Sequence, residues 1–260
     1  MTIAEGTELW RPSRERAQAS ELARYMRWLA EHRGLHFDID DYRALHRWSV
    51  ERLEEFWASL WDFFEVRAST PYRRVLDAHK MPGARWFEGA QLNYAEHALR
   101  HAAANTDAGR PAIVSRSELR PALAALGWHD LQRDVASIAA SLRAMGVRRG
   151  DRVVSCMPNI PETIAAFLAT ASVGAVWSSC SPDMGSGAVI DRFRQIEPKV
   201  LFAVDGYRYG GKDFDRRVVL AEIVAQLPAL ERVVLLPQLD ANAPPDSLRG
   251  GVSYASLLDR

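Results

Sequence analysis

The densest candidate for chemistry is Gly206-Tyr207-Arg208-Tyr209-Gly210-Gly211-Lys212-Asp213, which follows an apolar run ending at Val204. Its glycines and lysine match the GxxxxGK spacing of a loop whose backbone N–H groups and lysine surround a phosphate. Asp213 stands where such loops carry the Ser or Thr hydroxyl that holds magnesium, and Asp215 adds negative charge. Two carboxylates repel a triphosphate, so a Walker loop is rejected. With Arg208, Lys212, Gly210 and Gly211 gathered at a strand end, the segment stays a candidate seat for some other phosphate. A solvated glycine turn would account for the same residues without a ligand.

Other candidates carry less. His97 and His101 are four apart on one helix, a metal-ligand spacing, but Glu96 precedes the first histidine, so HExxH is absent. They are read as surface histidines. Ser181 and Ser186 have no GxSxG elbow around them. Cys156 and Cys180 fall at or near strand ends, where a catalytic thiol could sit; with no paired histidine they are read as small buried apolar residues. No GxGxxG follows any predicted strand, and no catalytic residue or metal ligand is assigned.

The elements that must position these residues fall into two regions. The first ninety-odd residues read as mostly helical. Leu22, Tyr25, Met26 and Leu29 predict one helix over 13–33, ended by Gly34. Leu53, Phe56, Trp57, Leu60, Trp61 and Phe64 predict another, with Ser49 as its N-cap and the aromatic stripe as a core face. Residues 70–91 hold Pro71, Pro82, Gly83 and Gly89 and read as an irregular connector. Asn93 with Glu96 three residues on predicts a capped helix to about Ala104.

After a polar loop, Ala112–Ser115 reads as a strand. From about Asp130 the pattern is a regular alternation. Leu131, Val135, Ile138, Ala139, Leu142 and Met145 make a helical stripe closed by Gly146. Strands are expected at Arg152–Cys156, Val176–Ser179, Val200–Val204 and Arg232–Leu236, with helices at Pro161–Val173, Ala188–Ile196 and about Asp215–Leu227. That order predicts right-handed βαβ crossovers and a parallel sheet. The tail, with Pro244, Pro245, Gly250 and Gly251, reads as a linker and one helical turn.

Composition limits the partners. Of 260 residues, 33 are basic and 33 acidic, for zero formal net charge, so neither nucleic acid nor an anionic membrane is the expected partner. Two cysteines, no apolar signal segment at Met1–Arg11 and no run of about 20 apolar residues fit a cytoplasmic protein.

Three stretches resemble known proteins. Ala84-Arg85-Trp86-Phe87-Glu88-Gly89-Ala90-Gln91-Leu92-Asn93-Tyr94-Ala95-Glu96 resembles the entry motif of acetyl-CoA-synthetase-like enzymes. Gly146-Val147-Arg148-Arg149-Gly150-Asp151-Arg152-Val153-Val154 and Pro158-Asn159-Ile160-Pro161-Glu162 resemble the opening of the wider adenylate-forming, AMP-binding ligases. The segments Gly174–Asp183 and Asp205–Arg216 narrow the resemblance to the acetoacetate–CoA ligases, and it covers nearly the whole chain.

The resemblance implies an α/β fold: a helical acetyl-CoA-synthetase-type region over 1–95, then the first part of the adenylating domain over 96–260. It implies that acetoacetate and ATP, with Mg2+, form acetoacetyl-adenylate and pyrophosphate, after which the thiol of coenzyme A displaces AMP, a step of lipid metabolism. The family's phosphate loop ending in lysine, its ribose-binding aspartates and its C-terminal domain would all follow Arg260. The chain is therefore expected to be inactive alone, with the missing C-terminal half as a partner beside the small substrates. Carried over residue by residue, Lys212 would neutralise a coenzyme A phosphate beside Gly210 and Gly211, with Arg208 helping. Tyr209 stands where that branch has a second arginine. Ser181–Met184 would lie near the pantetheine arm, although the glycines of that loop are missing. Alternatives are a non-catalytic CoA-binding or subunit-pairing module, or a ligase for another short-chain acid.

Overall fold

The computed structural model describes residues 4–259. Contacts divide the chain into two compact units, Met1–Leu92 and Asn93–Arg260. In the first, α1 (Arg14–Gln18) and α2 (Glu21–Arg33) replace the single helix expected over 13–33. The break is local: the Ser20 hydroxyl accepts from the Ala23 N–H and starts α2 afresh, while left-handed Gly34 ends it as predicted.

Helix α3 (Tyr42–Glu51) was not anticipated, and it overturns Ser49 as an N-cap. Ser49 lies inside α3 and donates to the His46 carbonyl; α4 (Leu53–Phe63) begins after Arg52 without a side-chain cap. The aromatic stripe of α4 is core only in part. Phe63 is buried, and Phe56 and Leu60 pack on the Tyr25, Met26, Leu29 and Leu45 cluster, but Trp57 and Phe64 are exposed. At the centre Tyr25 donates to Ser59 at 2.6 Å, while Ser59 donates to the Phe56 carbonyl at 2.7 Å. Each hydroxyl proton in this buried pair is thereby used once.

The segment read as irregular holds an antiparallel pair, β1 (Arg74–Leu76) and β2 (Trp86–Glu88). Asp77, just beyond β1, accepts from the Arg85 backbone N–H at 2.8 Å and its guanidinium at 2.9 Å.

The second unit opens with α5 (Tyr94–Leu99) and α6 (Ala102–Asp107), where one helix to about Ala104 was expected. Asn93 caps α5 as predicted, accepting from the Ala95 and Glu96 N–H groups at 3.0 and 3.2 Å. Its amide also donates to the Ala171 carbonyl at 2.9 Å, so one side chain serves two helix ends. A hairpin, β3 (Ile113–Ser115) and β4 (Ala124–Leu126), precedes α7 (Trp128–Ala144).

Then comes the alternating run: β5 (Arg152–Cys156), α8 (Pro161–Val173), β6 (Val176–Cys180), α9 (Ser186–Arg194), β7 (Val200–Val204). A second hairpin, β8 (Gly206–Tyr209) and β9 (Lys212–Asp215), is followed by α10 (Arg217–Ala225) and β10 (Arg232–Leu236). The tail read as a linker contributes β11 (Gly251–Ser253), paired parallel to β10. Gly251 is required there, because a Cβ would lie 1.7 Å from the Pro245 carbonyl oxygen.

The main sheet is parallel, in the order β11-β10-β7-β5-β6. All five residues of β7 are buried. Val200, Phe202 and Val204 face the core shared with α7 and α8, while Leu201 and Ala203 face the core shared with α9 and α10. Helices therefore cover both faces, as the α/β reading requires. The order in which strands are added reverses between β5 and β7, and the carboxyl ends of the strands at such a reversal are where α/β folds hold ligands.

Asp205 fixes that end of β7. It is 2% exposed, and its carboxylate accepts from the Gln238, Leu239 and Asp240 N–H groups at 2.5 to 3.2 Å. Asp205→Ala would leave these donors unanswered; we expect a stability loss of about 3 kcal/mol by urea denaturation, and a smaller loss for Asp205→Asn. In the first unit, the N–H and guanidinium of Arg85 hold the Asp77 carboxyl at about 2, below its unfolded value. The stabilisation is therefore present above the unfolded pKa and lost as pH falls through the folded one. The difference in urea midpoint between wild type and Asp77→Asn should shrink as pH is lowered from about 5 to about 2.

Candidate functional site

The predicted phosphate-binding residues lie together on the β8–β9 hairpin, which rises from the carboxyl end of β7. Gly210 and Gly211 form its two-residue turn with φ of 59° and 73°, the left-handed pair that a tight hairpin of this kind demands. Tyr207 and Phe214 stack across the strands at 5.1 Å, and Arg208 faces Asp213. Gly206 sets the hairpin down on its base: a Cβ there would meet Leu239 Cδ1 at 2.4 Å and the Phe214 carbonyl oxygen at 2.5 Å.

The two predicted cations differ. Arg208 is held by Asp213 through Nε and Nη2 at 2.6 and 2.9 Å, and that pairing draws the Asp213 carboxyl below its ordinary range. Lys212 is exposed and has no ion pair among the described residues. Asp213, read in the sequence as an obstacle to a triphosphate, is thus the partner of Arg208.

Glu118 was not anticipated. It lies in the β3–β4 loop, and its Oε1 and Oε2 accept from the Gly210 and Gly211 N–H groups, each at 2.8 Å. These N–H bonds, foremost that of Gly211, hold its carboxyl below the ordinary value, with the Arg208 charge adding to the effect. Nothing in the sequence marks a residue 92 positions from the turn as its occupant. Asp205 was also missed, although an Asp ending the run Val200–Val204 is the kind of buried polar group that must find partners.

The same loop reaches a second place. Arg120 donates to Glu162 Oε1 at 2.8 Å, near the start of α8. Glu162 borders a cavity of about 560 Å3 with Asp134, Leu236 and Tyr254. Its Oε2 is buried without a partner among the described residues, and Tyr254 donates to the Glu162 carbonyl at 3.2 Å. Burial, foremost, raises the Tyr254 phenol. The cavity can take one hydrogen-bond donor at Oε2.

Ser181–Met184 follow β6, and Arg216, just past β9, donates to the Met184 carbonyl at 2.8 Å. The loops after β6 and β7 are therefore tied together.

The remaining candidates do no chemistry in this arrangement. Arg100 hydrogen-bonds both His97 and His101, placing a guanidinium where a metal would need to be. Among the described residues no three His, Cys, Asp or Glu side chains gather as a metal site. Cys156 and Cys180 pair across β5 and β6 as buried free thiols. Burial pushes the Cys156 thiol up to about 11 and raises that of Cys180, which suits packing and not nucleophilic attack. No described helix is long and apolar enough to cross a membrane.

Comparison with known proteins agrees with this architecture. Residues 42–98 match the family model for the acetyl-coenzyme A synthetase N-terminus, and residues 99–254 match that for AMP-binding enzymes. The acetoacetyl-coenzyme A synthetase of Rhizobium meliloti is 40% identical over 252 residues, covering 96% of this chain and 37% of the relative. The acetoacetyl-CoA synthetase of Rattus norvegicus is 42% identical over 201 residues, covering 76% of this chain and 29% of the relative. The solved acetoacetyl-CoA synthetase from Streptomyces lividans superposes with a TM-score of 0.88 at 48% identity, over 98% of this chain and 38% of that one. The chain thus spans between 29% and 38% of the length of these relatives. With its family match over most of the length and a fold shared with a solved synthetase, the chain belongs to the AMP-binding enzymes.

Proposed function

We infer that this chain is the amino-terminal part of an acetoacetate–CoA ligase, which joins acetoacetate to coenzyme A at the expense of ATP through an acetoacetyl-adenylate. The observation that carries this reading is the likeness to the Streptomyces lividans synthetase over 98% of the chain. On this reading residues 1–95 are the acetyl-CoA-synthetase-type region and 96–260 the first part of the adenylating domain, working in the cytoplasm together with a C-terminal half that supplies the rest.

The share of the reaction taken by these residues is the docking of coenzyme A. Lys212 at an exposed hairpin turn, beside two backbone N–H groups and at the carboxyl end of a central parallel strand, has the chemistry of a phosphate seat. Arg208, already neutralised by Asp213, supports the hairpin more than the ligand. Ser181–Met184, tied to the segment after β9 through Arg216, would border the pantetheine arm, and that tie supports the assignment. Among the described residues no three His, Cys, Asp or Glu side chains gather to hold magnesium. Bound ATP supplies the activation; holding the thiol carrier is what this chain's residues do.

The pure chain should catalyse no acetoacetate-dependent ATP–pyrophosphate exchange, and robust exchange would refute the reading. A chimera joining this chain to the remaining length of the Rhizobium meliloti relative should exchange and form acetoacetyl-CoA. In that chimera Lys212→Ala should raise the KM for coenzyme A about tenfold, the loss of one charge-assisted phosphate contact. Exchange, which needs no coenzyme A, should be unchanged; an equal loss in both assays would mean general damage.

A further inference from the structure

The two N–H groups that make the hairpin turn an anion seat are already taken by an acid of the chain itself. Glu118 meets them with both carboxylate oxygens, at 2.8 Å each, in a fork matched to that pair of donors. The turn does not need this carboxylate in order to form. Its left-handed glycines and cross-strand pairs fix the hairpin, and Gly210 and Gly211 are exposed, so water would satisfy the same N–H groups. Glu118 is itself exposed, in a loop between two three-residue strands, and free to swing into solvent. With Glu118 seated, the charges around the turn are two acids, Glu118 and Asp213, against two bases, Arg208 and Lys212.

We propose that Glu118 is a specificity-determining residue of the coenzyme A seat, an internal carboxylate that only a dianionic phosphate monoester displaces. The proposal rests on the reading that Lys212 and its turn take the nucleotide end of coenzyme A. A singly charged carboxylate or phosphate diester offers the turn nothing that Glu118 does not already give. A phosphate monoester brings about two charges and three acceptor oxygens, enough to hold both N–H groups and Lys212 together. Coenzyme A carries one such group, its 3′-phosphate; the phosphates of its diphosphate bridge carry one charge apiece. The displaced Glu118 returns to water, so the exchange costs little. The seat thereby discriminates coenzyme A from its dephospho form and from singly charged metabolites.

A structural latch would use the same contacts, and the two roles predict opposite signs. Titration calorimetry of coenzyme A and dephospho-coenzyme A with the full chain would be run on wild type, Glu118→Gln, Glu118→Ala and Lys212→Ala, each first checked by thermal unfolding. The expected result is tighter binding by both Glu118 variants, about fivefold for coenzyme A and more than that for dephospho-coenzyme A. The singly charged bridge phosphate of the dephospho form can then hold the vacated donors, so the preference for the 3′-phosphate narrows. An unchanged or wider preference would overturn the specificity role. In wild type, coenzyme A should shift the Gly210 and Gly211 amide resonances and dephospho-coenzyme A should not. Unchanged or weaker coenzyme A binding by the Glu118 variants, with a loss in Lys212→Ala, would overturn the role of Glu118 and leave the seat standing. Equal coenzyme A affinity in all four proteins, or none up to millimolar ligand, would overturn both.

Discussion

Strand β7 is buried on both faces along all five of its residues, and most of the second unit follows from that constraint. A strand with no solvent face needs hydrogen-bonded neighbours on both edges and apolar cover on both sides. The neighbours are β5 and β10, and the cover is α7 with α8 on one side and α9 with α10 on the other. Because the polypeptide must emerge from such a strand at its carboxyl end, the first polar residue there, Asp205, has to bring its own partners, and it takes three backbone donors from the loop after β10. The hairpin that carries Lys212 thus stands on a base fixed by the core.

This dependence explains which parts were legible. Strands β5, β7 and β10 are read at their full extents because a parallel strand buried on both faces leaves a mostly apolar, β-branched run in the sequence. The three-residue strands β1, β2, β4 and β11 leave no such trace. Their pairing is decided by partners elsewhere in the chain, and in β11 by a glycine that reads as a linker. The misplaced Ser49 cap has the same origin: α3 and α4 abut at Arg52, and a serine near a helix start is also a serine near the end of the one before.

The candidate site divides along the same line. Gly210, Gly211 and Lys212 announce a turn with a cation through local chemistry alone, and the turn is there. What occupies its donors was invisible, because Glu118 reaches the turn only after the β3–β4 hairpin and the main sheet have each formed. Asp213 was legible as a charge but not as a partner. Only the cross-strand register sets it opposite Arg208, so that of two bases in the motif one is consumed by the hairpin's own architecture.

Glu118 and Arg120 sit two residues apart in one loop, the first gripping the hairpin after β7 and the second gripping Glu162 at the start of α8. Ser117 and Arg120 close a tight turn around Glu118 through reciprocal bonds at 3.0 and 3.1 Å. Glu118 can leave the hairpin turn by a rotation of its own exposed side chain while Arg120 keeps the loop tied to Glu162. The loop thus has one anchored end and one releasable end, so the hairpin turn can exchange its carboxylate while the loop stays moored to α8.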